Sequence, residues 1–226
     1  MRAPTPISSL VHRSTLVTAG LVLIINFSEI ILNKDVIMII IVVGVFTMFF
    51  SSIAALVEED LKKVVALRTL SQMGFSMLTV GIGLSFVSFI HLLRHALFKR
   101  CLFIQVGYLI HCSLGQQDGR NYSNLGNVPY FIQLQLLVTL FCLCGLVFSC
   151  GAVSKDYILE FFFSNFFMVV FACMFFFSVF LTFGYRYRLW KGFFISFRRP
   201  VFCFSSRVVM NFLSLLLVLF SIFFVW

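Results

Sequence analysis

"VIMIIIVVGVFTMFFSSIAALV", residues 36–57, contains no ionisable side chain. As a helix rising 1.5 Å per residue it is about 33 Å long, enough to cross roughly 30 Å of hydrocarbon. The same pattern recurs outward from it: residues 129–153 and 208–226 are also free of charge. Across all 226 residues the chain is 61% hydrophobic and 11% charged, with mean hydropathy +1.07. That is more apolar surface than a soluble core of this length can hide. The fold class is therefore all-α, a polytopic integral membrane protein, with residues 1–226 forming a single membrane domain that catalyses no chemistry in water.

About seven transmembrane helices are expected. The first follows two prolines in "PTPISSLVHRSTLVTAGLVLIINF" and runs apolar to Phe27, since proline suits the first turn of a helix. The others are expected at about Val36–Val57, Leu61–Ile90, Phe89–His111, Pro129–Glu160 with an interruption, Asn165–Tyr185 and Val208–Trp226. If these alternate, "EEDLKK" (58–63) and the basic stretch Arg186–Arg207 share a side, while "SEIILNKD" opposite has one lysine. By the positive-inside rule the first side is the cytoplasm or its mitochondrial equivalent, the matrix.

The net charge of +9 does not point to nucleic acid. The basic residues lie between or within apolar spans and form no solvated basic face. Seven cysteines lack a paired framework and metal-ligand spacing, so buried inert thiols are expected.

Ionisable residues inside spans are costly, about 2.5–3.5 kcal/mol each at the bilayer centre on insertion scales, and so tend to mark transport paths. His12 lies about a turn before Thr15 and Thr18; it is either a histidine satisfied near a helix end or part of a polar spot that holds water. His91, His95 and Lys99 recur every four residues, which places them within about 80° on one helix face. Two histidines at that spacing could bind zinc, but no glutamate completes the motif and the ammonium disfavours a cation. A proton-carrying stripe fits the residue types better; interfacial snorkelling is the plainer alternative. "EEDLKK" reads as a solvated turn. In "SCGAVSKDYILE" (149–160), Lys155 and Asp156 interrupt an apolar stretch. A hairpin between two helices explains this, and so does one helix broken in mid-membrane at Gly145, Ser149 and Gly151.

"APTPISSLVHRSTLVTAG", "EEDLKKVVALRTLSQMGFSM", "HALFK", "GQQDGRNYSNLGN" and "SKD" occur in an order that resembles the antiporter-like membrane subunits of respiratory NADH:ubiquinone oxidoreductase. The likeness runs over nearly the whole chain and is nearest to the largest of these subunits in its phenylalanine-rich roundworm form. The resemblance implies redox-driven proton translocation across the inner mitochondrial membrane. It implies an antiporter-like inverted-repeat fold, each five-helix repeat holding one discontinuous helix, with the second repeat at about residues 36–188. It carries over a proton pathway of His12, Asp60, Lys62, His91, His95, Lys99, Lys155 and Asp156, with Lys155 on the broken helix. It also implies that this chain binds no cofactor or metal, and that NADH, flavin, iron–sulfur clusters and ubiquinone belong to other subunits. The implied partners are other membrane-arm subunits, above all the neighbouring antiporter-like one, and the lipid bilayer. By the same likeness Met1 corresponds to an interior methionine, so seven preceding helices are expected to be missing, and the chain stops near the fourteenth. A cation/proton antiporter subunit and the product of a nuclear copy of mitochondrial DNA are the alternatives.

The arginines depart from the resemblance. Arg94 and Arg100 lie about 100° and 140° from the centre of the His91/His95/Lys99 stripe. Relatives tend to carry small residues at several such sites, and some invertebrate mitochondria read AGA and AGG as serine. Serine is therefore the expectation at several of Arg2, Arg68, Arg94, Arg100 and Arg186.

Overall fold

The computed structural model describes residues 16–28, 33–112, 115, 117–119, 130–145, 150–164 and 169–194, and single positions 212, 215, 216 and 219. Among the described residues there are seven helices: α1 Leu16–Asn26, α2 Lys34–Val57, α3 Leu61–Gly81, α4 Ser85–Cys112, α5 Tyr130–Cys144, α6 Cys150–Ser164 and α7 Val169–Phe194. Helices are what hydrocarbon selects, because each satisfies its backbone N–H and C=O groups within one segment. Hydroxyls follow the same rule. Ser51, Ser52, Ser71, Ser76, Ser178 and Thr182 each donate to a carbonyl three or four residues back.

Burial is inverted relative to a water-soluble protein. Phe50, Phe86, Phe180 and Leu134 are exposed, whereas Arg68, His91, His95, Lys99, Gln105 and Gln135 are buried. A lipid-facing rim around a polar interior produces this arrangement. Asp35–Val57 is long and apolar enough to span a membrane by composition alone.

The expected third span, to Ile90, is shorter than the sequence suggests. Gly83 adopts φ +94°, and the Gly83 and Leu84 N–H groups close on the Val80 and Thr79 carbonyls at 2.9 and 3.1 Å. This is a glycine-based helix stop, and α4 starts at Ser85. The last described helix runs on to Phe194, past the expected end at Tyr185. The span expected at Val208–Trp226 falls largely outside the described residues.

Helices α2 and α3 pack backbone to backbone. A Cβ on Gly74 would lie 2.6 Å from Thr47 Oγ1 and 2.8 Å from the Gly44 carbonyl oxygen, so this crossing needs glycine, as close helix pairs in membranes do. Val45, Met48, Phe75, Leu78, Ile158 and Phe175 fill the space between α2, α3, α6 and α7. A second cluster, including Leu61, Val65, Leu102, Leu109, Ile132 and Leu136, joins α3, α4 and α5.

One end of the bundle is tied by loops. The Leu61 N–H donates to the Gln117 carbonyl at 3.1 Å and the Gly119 N–H to the Glu59 carbonyl at 2.9 Å. Arg188 Nη1 donates to the carbonyls of Leu56 and Glu58. The "EEDLKK" segment and the basic end of α7 are therefore on one side, as the alternation of spans predicts.

Candidate functional site

Helices α5 and α6 are two halves of one interrupted helix. Contacts along α4 carry this: Gln105 meets Thr139 on α5 and Phe98 packs with Cys142, while His91 meets Ser154 on α6 and Phe86, Val87 and Ile90 share a groove with Asp156, Tyr157 and Glu160. Moving back 14 positions along α4 thus moves forward 15 along α5 and α6. Positions rise along α5 and α6 as they fall along α4, the order expected of two halves of one helix antiparallel to α4 and not of a hairpin. The chain leaves α5 at Gly145, whose φ of +70° is left-handed; residues 146–149 lie outside the described set.

Interrupting a helix leaves carbonyls without partners at the C-terminal end of the first half, where the helix dipole is negative. Lys155 meets that need. Its Nζ donates to the Leu143 carbonyl at 3.1 Å and to the Cys144 carbonyl at 2.9 Å. The ammonium is held by backbone oxygens at the break, with no carboxylate required.

On α4 the spacing of four residues does what it predicts. His91, His95 and Lys99 are 4%, 7% and 2% exposed and line one inward face. The His91 and His95 rings are nearly parallel, with centroids 6.5 Å apart. Lys99 Nζ lies 6.0 Å from the centroid of the Phe103 ring. Such deep burial is incompatible with interfacial snorkelling. Further along α4, Gln105 Oε1 accepts from the Thr139 hydroxyl at 2.8 Å, which carries the polar line across to α5.

His91 is the junction. Its Nδ1 lies 3.2 Å from Ser154 Oγ and its Nε2 3.2 Å from Gln72 Oε1. Ser154 is the residue before Lys155, and Gln72 lies on α3. A cavity of about 10 Å³ separates Gln72 from Lys155. Reading the sequence missed Gln72, Ser154, Gln105 and Thr139; the available signal was an uncharged polar residue inside an apolar helix, as in "RTLSQMG".

Other expected site residues lie elsewhere. Asp60 pairs with Lys63 at 2.9 Å and not with Lys62, at the half-buried start of α3. The Lys63 ammonium, by hydrogen bond and charge, holds the Asp60 carboxyl below the usual carboxylate range, and Asp60 in turn raises Lys63. Asp156 is exposed and lines an outer groove with Arg94, Tyr157 and Glu160. The structure thus separates it from its neighbour Lys155. His12 lies outside the described residues. Cys101 and Cys142 are buried thiols without disulfides. Among the described residues no three His, Cys, Asp or Glu side chains gather as a metal-ligand set. The described geometry sets neighbouring buried bases along one face of α4, next to the lysine at the break.

The family described as NADH:quinone oxidoreductase/Mrp antiporter, transmembrane, matches residues 1–182. The chain is 93% identical over 226 residues to NADH-ubiquinone oxidoreductase chain 5 of Ascaris suum, covering all of this chain and 41% of that one. It is 71% identical to the protein of the same name from Caenorhabditis elegans, again over the full chain and 43% of the relative. The chain thus spans less than half the length of these relatives. The solved structure of the Mrp complex from Dietzia sp. DQ12-45-1b is similar in fold, with TM-score 0.65 and 21% identity over 76% of this chain and 32% of that one.

Proposed function

We propose, from the premise that the chain belongs to the NADH:quinone oxidoreductase/Mrp antiporter transmembrane family, that it forms part of a proton-translocating subunit of NADH:ubiquinone oxidoreductase. The relatives' shared name supports the oxidoreductase over the cation antiporter. In this reading the protein works in the inner mitochondrial membrane beside other membrane-arm subunits, and residues 36–188 make one five-helix repeat. NADH, flavin, iron–sulfur clusters and ubiquinone are bound by other subunits. This chain moves protons in response to electron transfer that happens elsewhere, a coupling of two distant sites through charge.

The observation that carries the reading is Lys155 at the helix break. Its side-chain nitrogen rests on the Leu143 and Cys144 carbonyls, which hold it at the break. On the same helix, one residue away, Ser154 contacts the buried His91 that begins the stripe on α4. A cation arriving at or leaving His91 changes the electrostatic cost of the charge at Lys155 and at His95 and Lys99. Protonation of one site therefore opposes protonation of the next, and charge moves stepwise along the helix row.

The test is energised transport in mitochondrial inner-membrane vesicles containing the full subunit. Rotenone-sensitive NADH oxidation with matching proton uptake or release is expected. Proton/cation exchange that proceeds without NADH and resists rotenone would assign the chain to the antiporter class instead.

A further inference from the structure

Among the described residues, α3 reaches this junction through Gln72, whose side chain meets His91. With Gln72 Oε1 turned to the ring as the acceptor, the 3.2 Å contact matches the His91 tautomer that carries its proton on Nε2. In the neutral ring the other nitrogen, Nδ1, then carries the lone pair. That lone pair faces Ser154 Oγ at 3.2 Å, on the helix that carries Lys155. Without Gln72 the ring could equally place its proton on Nδ1 and present no base to α6. The Phe75 ring, 5.0 Å from the His91 centroid, packs on the same imidazole, so its orientation is fixed by packing as well as by hydrogen bonds. All three groups are buried: Gln72 is 5%, His91 4% and Ser154 4% exposed.

We propose that Gln72 is a positioning residue that keeps His91 Nδ1 basic toward the helix break, and that the Ser154 hydroxyl is the relay through which Lys155 and His91 exchange a proton. The cavity of about 10 Å³ between Gln72 and Lys155 is close to the space one water centre needs, and its Gln72, Lys155 and Thr182 walls supply polar partners. In the transfer, Ser154 gives its hydroxyl proton to His91 Nδ1 and receives one that originates from the ammonium of Lys155, the next residue on α6, by way of water. An N–H bond forms on His91, one breaks on Lys155, and the serine and water are regenerated. The charge moves from lysine to imidazolium and no electrons change hands. The reverse step restores the starting state. In the imidazolium both ring nitrogens donate, so Nδ1–H then points at the serine oxygen, while the bond to Gln72 is unchanged.

This inference rests on the proton-translocating reading, and the variants are chosen to separate the two. In the assembled complex, reconstituted in vesicles, Ser154→Ala and Gln72→Leu are expected to lower the number of protons moved per NADH. NADH oxidation by an artificial acceptor that bypasses the membrane arm should stay at the unmodified rate. Ser154→Thr keeps a hydroxyl and is expected to retain the unmodified proton yield, which a purely structural role for Ser154 would not require. Lys155→Ala is the control. If it lowers the yield while Ser154→Ala and Gln72→Leu do not, the link through His91 is overturned and the reading of function survives. If Lys155→Ala also leaves the yield unchanged, the reading of function itself fails. A loss with Ser154→Thr equal to that with Ser154→Ala overturns the hydroxyl relay. Should Gln72→Leu fail to assemble, the Ala/Thr pair at position 154 decides alone.

Discussion

Two guanidiniums share one aromatic ring: Arg68 Cζ lies 4.8 Å and Arg186 Cζ 5.7 Å from the Tyr185 centroid. Both arginines are 4% exposed, and all three Arg68 side-chain nitrogens lack a hydrogen-bond partner among the described residues. A cation–π contact returns about 0.5–2 kcal/mol, less than the roughly 2.5–3.5 kcal/mol an intramembrane arginine costs on insertion scales. Serine would remove that cost and could satisfy its hydroxyl on the preceding turn, as Ser71 and Ser76 do. Arg68→Ser and Arg186→Ser are therefore expected to raise the thermal stability of the assembled subunit, and a fall in melting temperature would contradict this. Peptide mass spectrometry of mitochondrial inner membrane is expected to read serine at position 68; arginine there would mean the charge is real and tolerated. The expected departure of Arg94 and Arg100 from the stripe holds, with Arg94 on an outer groove and Arg100 exposed. At this scale the sequence made legible the residues whose burial is expensive, His91, His95, Lys99 and Lys155. It did not reveal Gln72 or Ser154, because an uncharged polar side chain can satisfy itself on its own helix and only the fold shows which ones reach across.

At the level of helices, two glycines carry a conformation or a contact that a side chain would strain. Gly74→Ala would force a Cβ to 2.8 Å from the Gly44 carbonyl oxygen. Separating α2 from α3 to relieve it should cost about 1–3 kcal/mol, the usual range for overpacking, seen as reduced assembly of the complex. Unaltered assembly and stability would show that this crossing is looser than it looks. Gly145→Ala meets a different obstacle, since a left-handed φ of +70° costs an L-residue about 1–2 kcal/mol. The break was only half legible in the letters. Lys155 and Asp156 mark an interruption in an apolar run, but their spacing is the same for a hairpin and for a broken helix; the register of α5 and α6 against α4 decides between them. The acid and base that open α3 were legible as a solvated turn, yet the partner of Asp60 is Lys63, because the i, i+3 spacing on the first turn brings those two together. Because the folded Asp60 carboxyl titrates below its unfolded value, the pair's contribution is present above the ordinary carboxylate pKa of about 4 and is lost as pH falls through the folded value. No change in stability between pH 7 and 6 should come from this pair.

Over the whole molecule, an apolar rim encloses a polar row that runs from Lys155 at the break through Ser154 and His91 to His95 and Lys99, with Gln105 and Thr139 beyond. Composition made the membrane class plain, since no soluble core could hide so much apolar surface. The row itself needed the fold, because its members come from α3, α4 and both halves of the interrupted helix, separated by up to 83 positions from Gln72 to Lys155. The ends of the bundle follow from Arg188 reaching the Leu56 and Glu58 carbonyls, which places the basic end of α7 beside the start of α3. The central claim is that the ammonium at the helix break carries translocated charge and does not merely cap two carbonyls. The measurement that tests it most directly is the number of protons moved per NADH oxidised by the assembled complex in sealed vesicles, with and without Lys155→Ala. A lower ratio at normal assembly and normal NADH oxidation by an artificial acceptor is predicted. An unchanged ratio in a fully assembled complex would contradict the account and leave Lys155 as a structural cap.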